Sequence, residues 1–146
     1  MDDEVKLWNP WVTRTSANLR MAFQGRHNRV QIGKDVLRVI GAPNYITIRV
    51  NRNMDSIVVE AAQEKHKLSF KVPDGIMFSH HLQMFLNSES FVHGIMIHNE
   101  LDLNETYEVP GIYSEKNNAV VFNLADSVLL SEYKKGNDMT EELSAM

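Results

Sequence analysis

Cysteine is absent from these 146 residues, and that one gap excludes both disulfide bridges and thiolate metal centres. Also missing is any apolar run approaching the ~18 residues that a membrane-spanning helix needs, so no membrane association is expected. The chain starts Met1-Asp2-Asp3-Glu4, acidic where a secretory signal carries basic residues ahead of an apolar stretch, and a cytoplasmic protein is expected. Neither a Gly-rich phosphate loop nor a Gly-x-Ser-x-Gly elbow occurs, which removes two common signatures of enzymes. What is present, 43% hydrophobic and 23% charged residues, describes a folded chain the size of one domain or of two small halves sharing a core.

The absence of arginine from residues 54–146 is more informative. There, six lysines face 15 acidic residues, a net charge of −9, whereas residues 1–53 hold nine Lys/Arg against four acids, a net +5. An asymmetry of this kind points to one surface for a polyanion or acidic partner and another that repels it. Charge that only keeps the surface soluble is the plainer alternative.

Along the chain, residues 1–18 read as an N-terminal arm whose "WNPW" places Trp8 and Trp11 around Pro10. Two uses fit these indoles, packing on the body of the protein or stacking on bases. Leu19, Met21 and Phe23 alternate with Arg20 and Ala22 as in a half-buried strand, and "QGRHN" (24–28) follows as a turn. A strand over Val30–Ile32 leads into a helix from Lys34 to Ile40, which Gly41 terminates and Pro43 keeps from continuing. Residues 45–50 and 56–60 then alternate as two strands of a hairpin around "NRNMD".

This strand–helix–hairpin unit has an echo. Sliding the chain by 46 residues places Tyr45 on Phe91, Val36 on Leu82, Ile40 on Leu86 and Gly41 on Asn87, so a helix capped by Ser79 and a strand near Phe91 are expected. "TYEVPGIYSEKNNAVVFNL" is a further hairpin with its turn at "EKNN". Arg29, Lys34 and Arg38 correspond to Gly75, His80 and Met84, so only the first copy keeps a cationic surface. The division is an arm (1–18), a basic unit (19–66), an acidic unit (67–132) and a polar tail (133–146).

Residues 28–61, "NRVQIGKDVLRVIGAPNYITIRVNRNMDSIVVEA", resemble the swapped-hairpin DNA-binding module of the SpoVT/AbrB-like transcription regulators. Arg29–Ile32 match that family's first strand, Lys34–Arg38 its helix, Ile40-Gly41 its Leu-Gly stop and Tyr45–Val59 its hairpin. The sequence departs from the pattern where Gly33 stands for a proline, Leu37 for a frequent arginine and Asn28 for the glycine of a Gly-Arg pair. The resemblance implies an α+β, mostly β fold: a swapped-hairpin AbrB-like barrel with short helices. The 46-residue echo fits either a tandem duplication of the strand–helix–hairpin unit or a coincidence of short apolar patterns. The resemblance also implies duplex DNA as the ligand and a homodimer, unless the second unit closes the barrel within one chain. Arg29 and Arg38 carry over as DNA contacts, with Arg20, Arg26 and Lys34 as cationic neighbours.

Catalysis, cofactors and metals are not expected. His80, His81, His93 and His98 lack the i, i+4 helical spacing and the carboxylate or cysteine companions of a metal site. The eight methionines, Met77, Met84 and Met96 among them, read as fillers of core gaps or as an adaptable binding surface. Two functions follow. The first is a DNA-binding transcriptional regulator that uses the basic unit. The alternative is a protein-interaction module or inhibitor, of the kind carried by phages and mobile elements, that presents Glu105, Glu108 and Glu115 to a basic protein partner.

Overall fold

The computed structural model describes residues 19–62, 68–78 and 83–130. The arm with Trp8 and Trp11, the pair His80-His81 and the tail from 133 lie outside the described residues.

The first hairpin joins β1 (Arg20–Gln24) to β2 (Arg29–Gly33) through a single 3-10 turn, Gly25–His27. Asn28 closes that turn at φ 55, a left-handed conformation that asparagine tolerates better than most residues. Alternation sends Met21, Phe23, Val30 and Ile32 inward with Leu19, all essentially fully buried. Helix α1 (Lys34–Val39) follows β2 directly and buries Val36 and Leu37. It ends where Gly41 (φ 101) and Ala42 (φ 49) turn left-handed, the Ala42 N–H donating to the Leu37 carbonyl at 2.8 Å. The hairpin of β3 (Tyr45–Val50) and β4 (Ser56–Ala62) comes next. The Asn51 side-chain oxygen holds its turn by accepting from the N–H groups of Asp55 (3.0 Å) and Ser56 (2.9 Å). Strand, short helix and hairpin stand where the sequence implies them.

Beyond residue 68 lie β5 (Ser69–Lys71), β6 (Gln83–Asn87), α2 (Glu89–His98), β7 (Thr106–Ser114), β8 (Ala119–Asn123) and β9 (Val128–Leu129). Here the 46-residue echo fails at the level of secondary structure. Of the residues aligned with α1, 83–85 lie in β6 and the others lie outside the described residues, while those aligned with β3 lie in α2. Gln83-Met84-Phe85-Leu86-Asn87 in fact alternates, with Met84 buried and Phe85 exposed, which is a strand pattern. The helix start belongs to Ser88, whose hydroxyl accepts from the Phe91 N–H at 3.3 Å. The expected strand at Phe91 is therefore replaced by a helix, and the described part of the expected helix, from Gln83, by a strand; its expected cap, Ser79, lies outside the described residues.

All strand pairings are antiparallel, in the order β5-β3-β4-β8-β7-β1-β2-β6, with β9 added to β7. The result is a mostly β, α+β fold built on a curled half-barrel sheet. β7 makes the curl. Its first half, through Pro110, pairs with β1, and its second half, from Gly111, pairs with β8. Gly111 is required there for space, because a Cβ would lie 2.6 Å from the Phe122 ring and 2.7 Å from Val120. The β3–β4 hairpin is received by β8 of its own chain, so one chain supplies its neighbours on both sides.

Helix α2 closes the concave side, burying Val92, Ile95 and Met96 against β1 and β2 and stacking Phe91 on Phe23 with centroids 6.3 Å apart. At its C-terminus the Asn99 amide donates to the Met54 carbonyl at 2.8 Å, tying the helix to the β3–β4 turn. Gly94 sits mid-helix, and a Cβ there would make only an ordinary 4.0 Å contact with Met54. Gly94→Ala is expected to stabilise the fold by about 0.5–1 kcal/mol, read as a higher denaturation midpoint in urea at unchanged slope. Among the described residues, no helix is long and apolar enough to cross a membrane.

The two sheet edges differ. β5 is three residues long and carries Lys71, which donates to Asp74 at 2.7 Å. That hydrogen bond holds the Lys71 ammonium above its ordinary pKa. β6 is five residues long and carries no charge.

Candidate functional site

The side of the β7-β1-β2-β6 patch that faces away from the core is polar in every row. Cross-strand register places Thr106, Gln24, Arg29 and Asn87 in one row, and Glu108, Ala22, Gln31 and Phe85 in the next. Arg20 opposite Pro110 and Gly33 opposite Gln83 make the third. The alternation that buries Met21, Phe23, Val30 and Ile32 thus delivers two arginines and four side-chain amides to one surface.

α1 rises from the end of β2 beside the third row, and the angle between helix and sheet leaves a groove of about 450 Å³. Its walls include Arg20, Lys34 and Arg38, with Gln31 and Gln83 from the sheet and the carboxylates of Asp35 and Glu108. Arg20 pairs with Glu108, and Arg38 pairs with Asp35 three residues earlier on the helix. Both pairs are exposed, with the arginine side chains 45% and 48% accessible. Exposed pairs of this sort contribute ~0–1 kcal/mol, so an incoming anion displaces them at little cost.

Arg29 stands in the first row. Its guanidinium hydrogen-bonds the Gln24 side chain and lies 4.1 Å above the centre of the Phe85 ring, and Gln24 in turn donates to Gln31 at 2.6 Å. Stacking on an aromatic face fixes the guanidinium plane, which suits it to a planar or bidentate acceptor. Arg26 sits exposed in the turn at that same end of the hairpin.

Of the five cations expected from sequence, then, Arg20, Lys34 and Arg38 meet in one groove. Arg29 lies further along the same face, and Arg26 lies beyond it at the turn. The expected acidic set does not gather. Glu105 precedes β7 and Glu115 follows it, ten residues apart on a strand rising ~3.4 Å per residue, while Glu108 lies in the groove bound to Arg20. Glu108 therefore belongs to the cationic face. Gln31, Gln83 and Asp35 were not singled out from sequence. The i, i+3 spacing of Asp35 and Arg38 is the one local signal that would have found any of them.

His93 has a structural use, its Nε2 lying 3.0 Å from the Gly25 carbonyl oxygen, where α2 meets the β1–β2 turn. Among the described residues no three His, Asp or Glu side chains gather as metal ligands. No family model matches the chain, nor does any curated protein or solved structure compared with it.

Proposed function

We propose that the chain is a nucleic-acid-binding regulator that grips the backbone of duplex DNA with the face built from β1, β2 and α1. The observation that carries this reading is the meeting of Arg20, Lys34 and Arg38 in one groove, with Arg29 along the same sheet. The face holds four cations against Asp35 and Glu108, with Arg26 beyond it at the turn, in a protein whose net charge is −4. Phosphates would take over the exposed arginine pairs, and the amides of Gln31, Gln83 and Gln24 supply donors and acceptors suited to base edges or sugar. The likeness of residues 28–61 to the SpoVT/AbrB-like module supports the same surface, since its matched positions Arg29 and Arg38 both lie there. A transcriptional role is the natural use of such a protein, and the family's hairpin barrel belongs to this proposal in the form closed within one chain, with β8 in the place of a partner's strand.

Binding of the full chain to random-sequence duplex DNA across a salt series tests it. Each phosphate neutralised contributes about 0.9 to the slope of log affinity against log salt. Arg20→Ala/Arg38→Ala is expected to reduce that slope by about 2 and weaken binding on every sequence alike. Absence of salt-dependent binding at low ionic strength would retire the reading.

A further inference from the structure

The free edge of β6 has the composition of a pairing surface. β2 occupies one side of β6, and among the described residues no strand occupies the other. The Ser88 N–H donates to the Asn28 carbonyl at 3.0 Å, one step beyond the β2–β6 register. Hydrogen-bonded pairs alternate in an antiparallel ladder, so Val30/Leu86 and Ile32/Met84 exchange bonds with each other. The N–H and C=O groups of Gln83, Phe85 and Asn87 therefore point out along the open edge.

Such edges are ordinarily blunted by shortness, lysine, proline or a bulge. β5, at the opposite end of the sheet, is three residues long and carries a lysine. β6 has five residues, none of them charged and none proline, and its central Phe85 remains 38% exposed. The strand is also nearly the same in both directions, amide–apolar–Phe85–apolar–amide. Laid antiparallel on itself with Phe85 at the centre, it sets Gln83 opposite Asn87, Met84 opposite Leu86 and Phe85 opposite Phe85. Every pair matches in chemistry and no like charges meet, which is the self-complementarity that a two-fold interface demands.

We infer that the β6 edge binds a second copy of this chain, the two β6 strands pairing antiparallel about a two-fold axis through Phe85. The axis runs perpendicular to the sheet, so the outward faces of both protomers lie on the same side. Arg29 and Asn87 of one protomer then continue into the row that holds Gly33 and Arg20 of the other. Two cationic grooves share one surface, so the inference, though it stands on β6 alone, extends the proposed DNA-binding face.

The absence of cysteine makes the register directly measurable. A Phe85→Cys chain would bring two cysteines to about 5.5 Å between Cα atoms at the axis, inside the range a disulfide spans. Gln83→Cys alone places its two copies four residues out of register, roughly 14 Å apart, and so does Asn87→Cys. Under mild oxidation without DNA, Phe85→Cys is expected to form covalent dimers and the other two to remain single. A mixture of Gln83→Cys and Asn87→Cys chains should cross-link to each other. Sedimentation of the unmodified chain should give twice the 16.8 kDa chain mass, and Phe85→Lys should return it to one chain at unchanged circular dichroism. A monomeric unmodified chain at hundreds of micromolar would overturn the inference. So would equal cross-linking of all three variants, or a dimer indifferent to Phe85→Lys. Because none of these readouts involves DNA, failure here and failure of DNA binding are distinguishable.

Discussion

Lys34→Glu/Arg38→Glu is expected to lower affinity for duplex DNA about a hundredfold at moderate salt, while leaving the melting temperature within a degree or two of the parent. The binding effect follows from two lost phosphate contacts and two new repulsions on one groove wall; placing like charges across an interface costs several kcal/mol when desolvated and about 1–2 each at a wet rim. The fold tolerates the change because Arg38 is exposed and its partner, Asp35, forms only a solvent-screened pair. Conversely, Glu108→Gln should strengthen binding, because it removes a carboxylate from the groove and releases Arg20 from its ion pair. Opposite signs from neighbouring residues make the test sharp: a merely destabilised protein would not bind more tightly after Glu108→Gln. Fluorescence anisotropy on one labelled duplex, with thermal melts of each variant, reads both quantities. Should both variants bind as the parent does, the groove is not the contact surface.

How far this arrangement is legible in the sequence varies along the chain, for reasons that can be given residue by residue. The first unit reads correctly because its signals are local. Leu19, Met21 and Phe23 alternate, Gly41 can take the positive φ that ends α1, and Asn51 bonds its own turn. The β7–β8 hairpin reads equally well around Glu115–Asn118. β6 and α2 fail because Leu82, Leu86 and Phe91 fit two periods at once. Ser88 caps α2, and the helix docks Phe91 on Phe23, a contact 68 residues distant in sequence that no local pattern reports. The groove was half visible. Arg20, Lys34 and Arg38 can be picked out by charge, but 88 residues separate Arg20 from Glu108, and only the pairing of β1 with β7 joins them. Sheet order is set by such long-range choices, which no window of sequence contains.

Gly25→Ala is expected to destabilise the protein by about 3 kcal/mol or more, a drop of roughly 10 °C in melting temperature for a chain of this size. The reason is room, since Gly25 shows no positive φ. Three elements converge on this residue. Its N–H donates to the Glu105 carbonyl at 3.2 Å, its carbonyl meets His93 Nε2 at 3.0 Å and accepts from the Asn28 N–H at 3.2 Å. A Cβ would overlap the Leu103 carbonyl oxygen and lie 2.8 Å from its carbon and 3.0 Å from the Met96 methyl. Met96 can swing aside, but the Leu103 atoms are backbone and cannot move without the segment between α2 and β7. Relief would pull Glu105 from Gly25 and shift the start of β7, the strand that carries Glu108 into the groove. Gly94→Ala, the same chemical change on α2 with open space before it, supplies the control and should move stability the other way. If Gly25→Ala melts within two degrees of the parent, the loop at Leu103 is softer than its packing implies, and the β1–β2 turn does not anchor the cationic face.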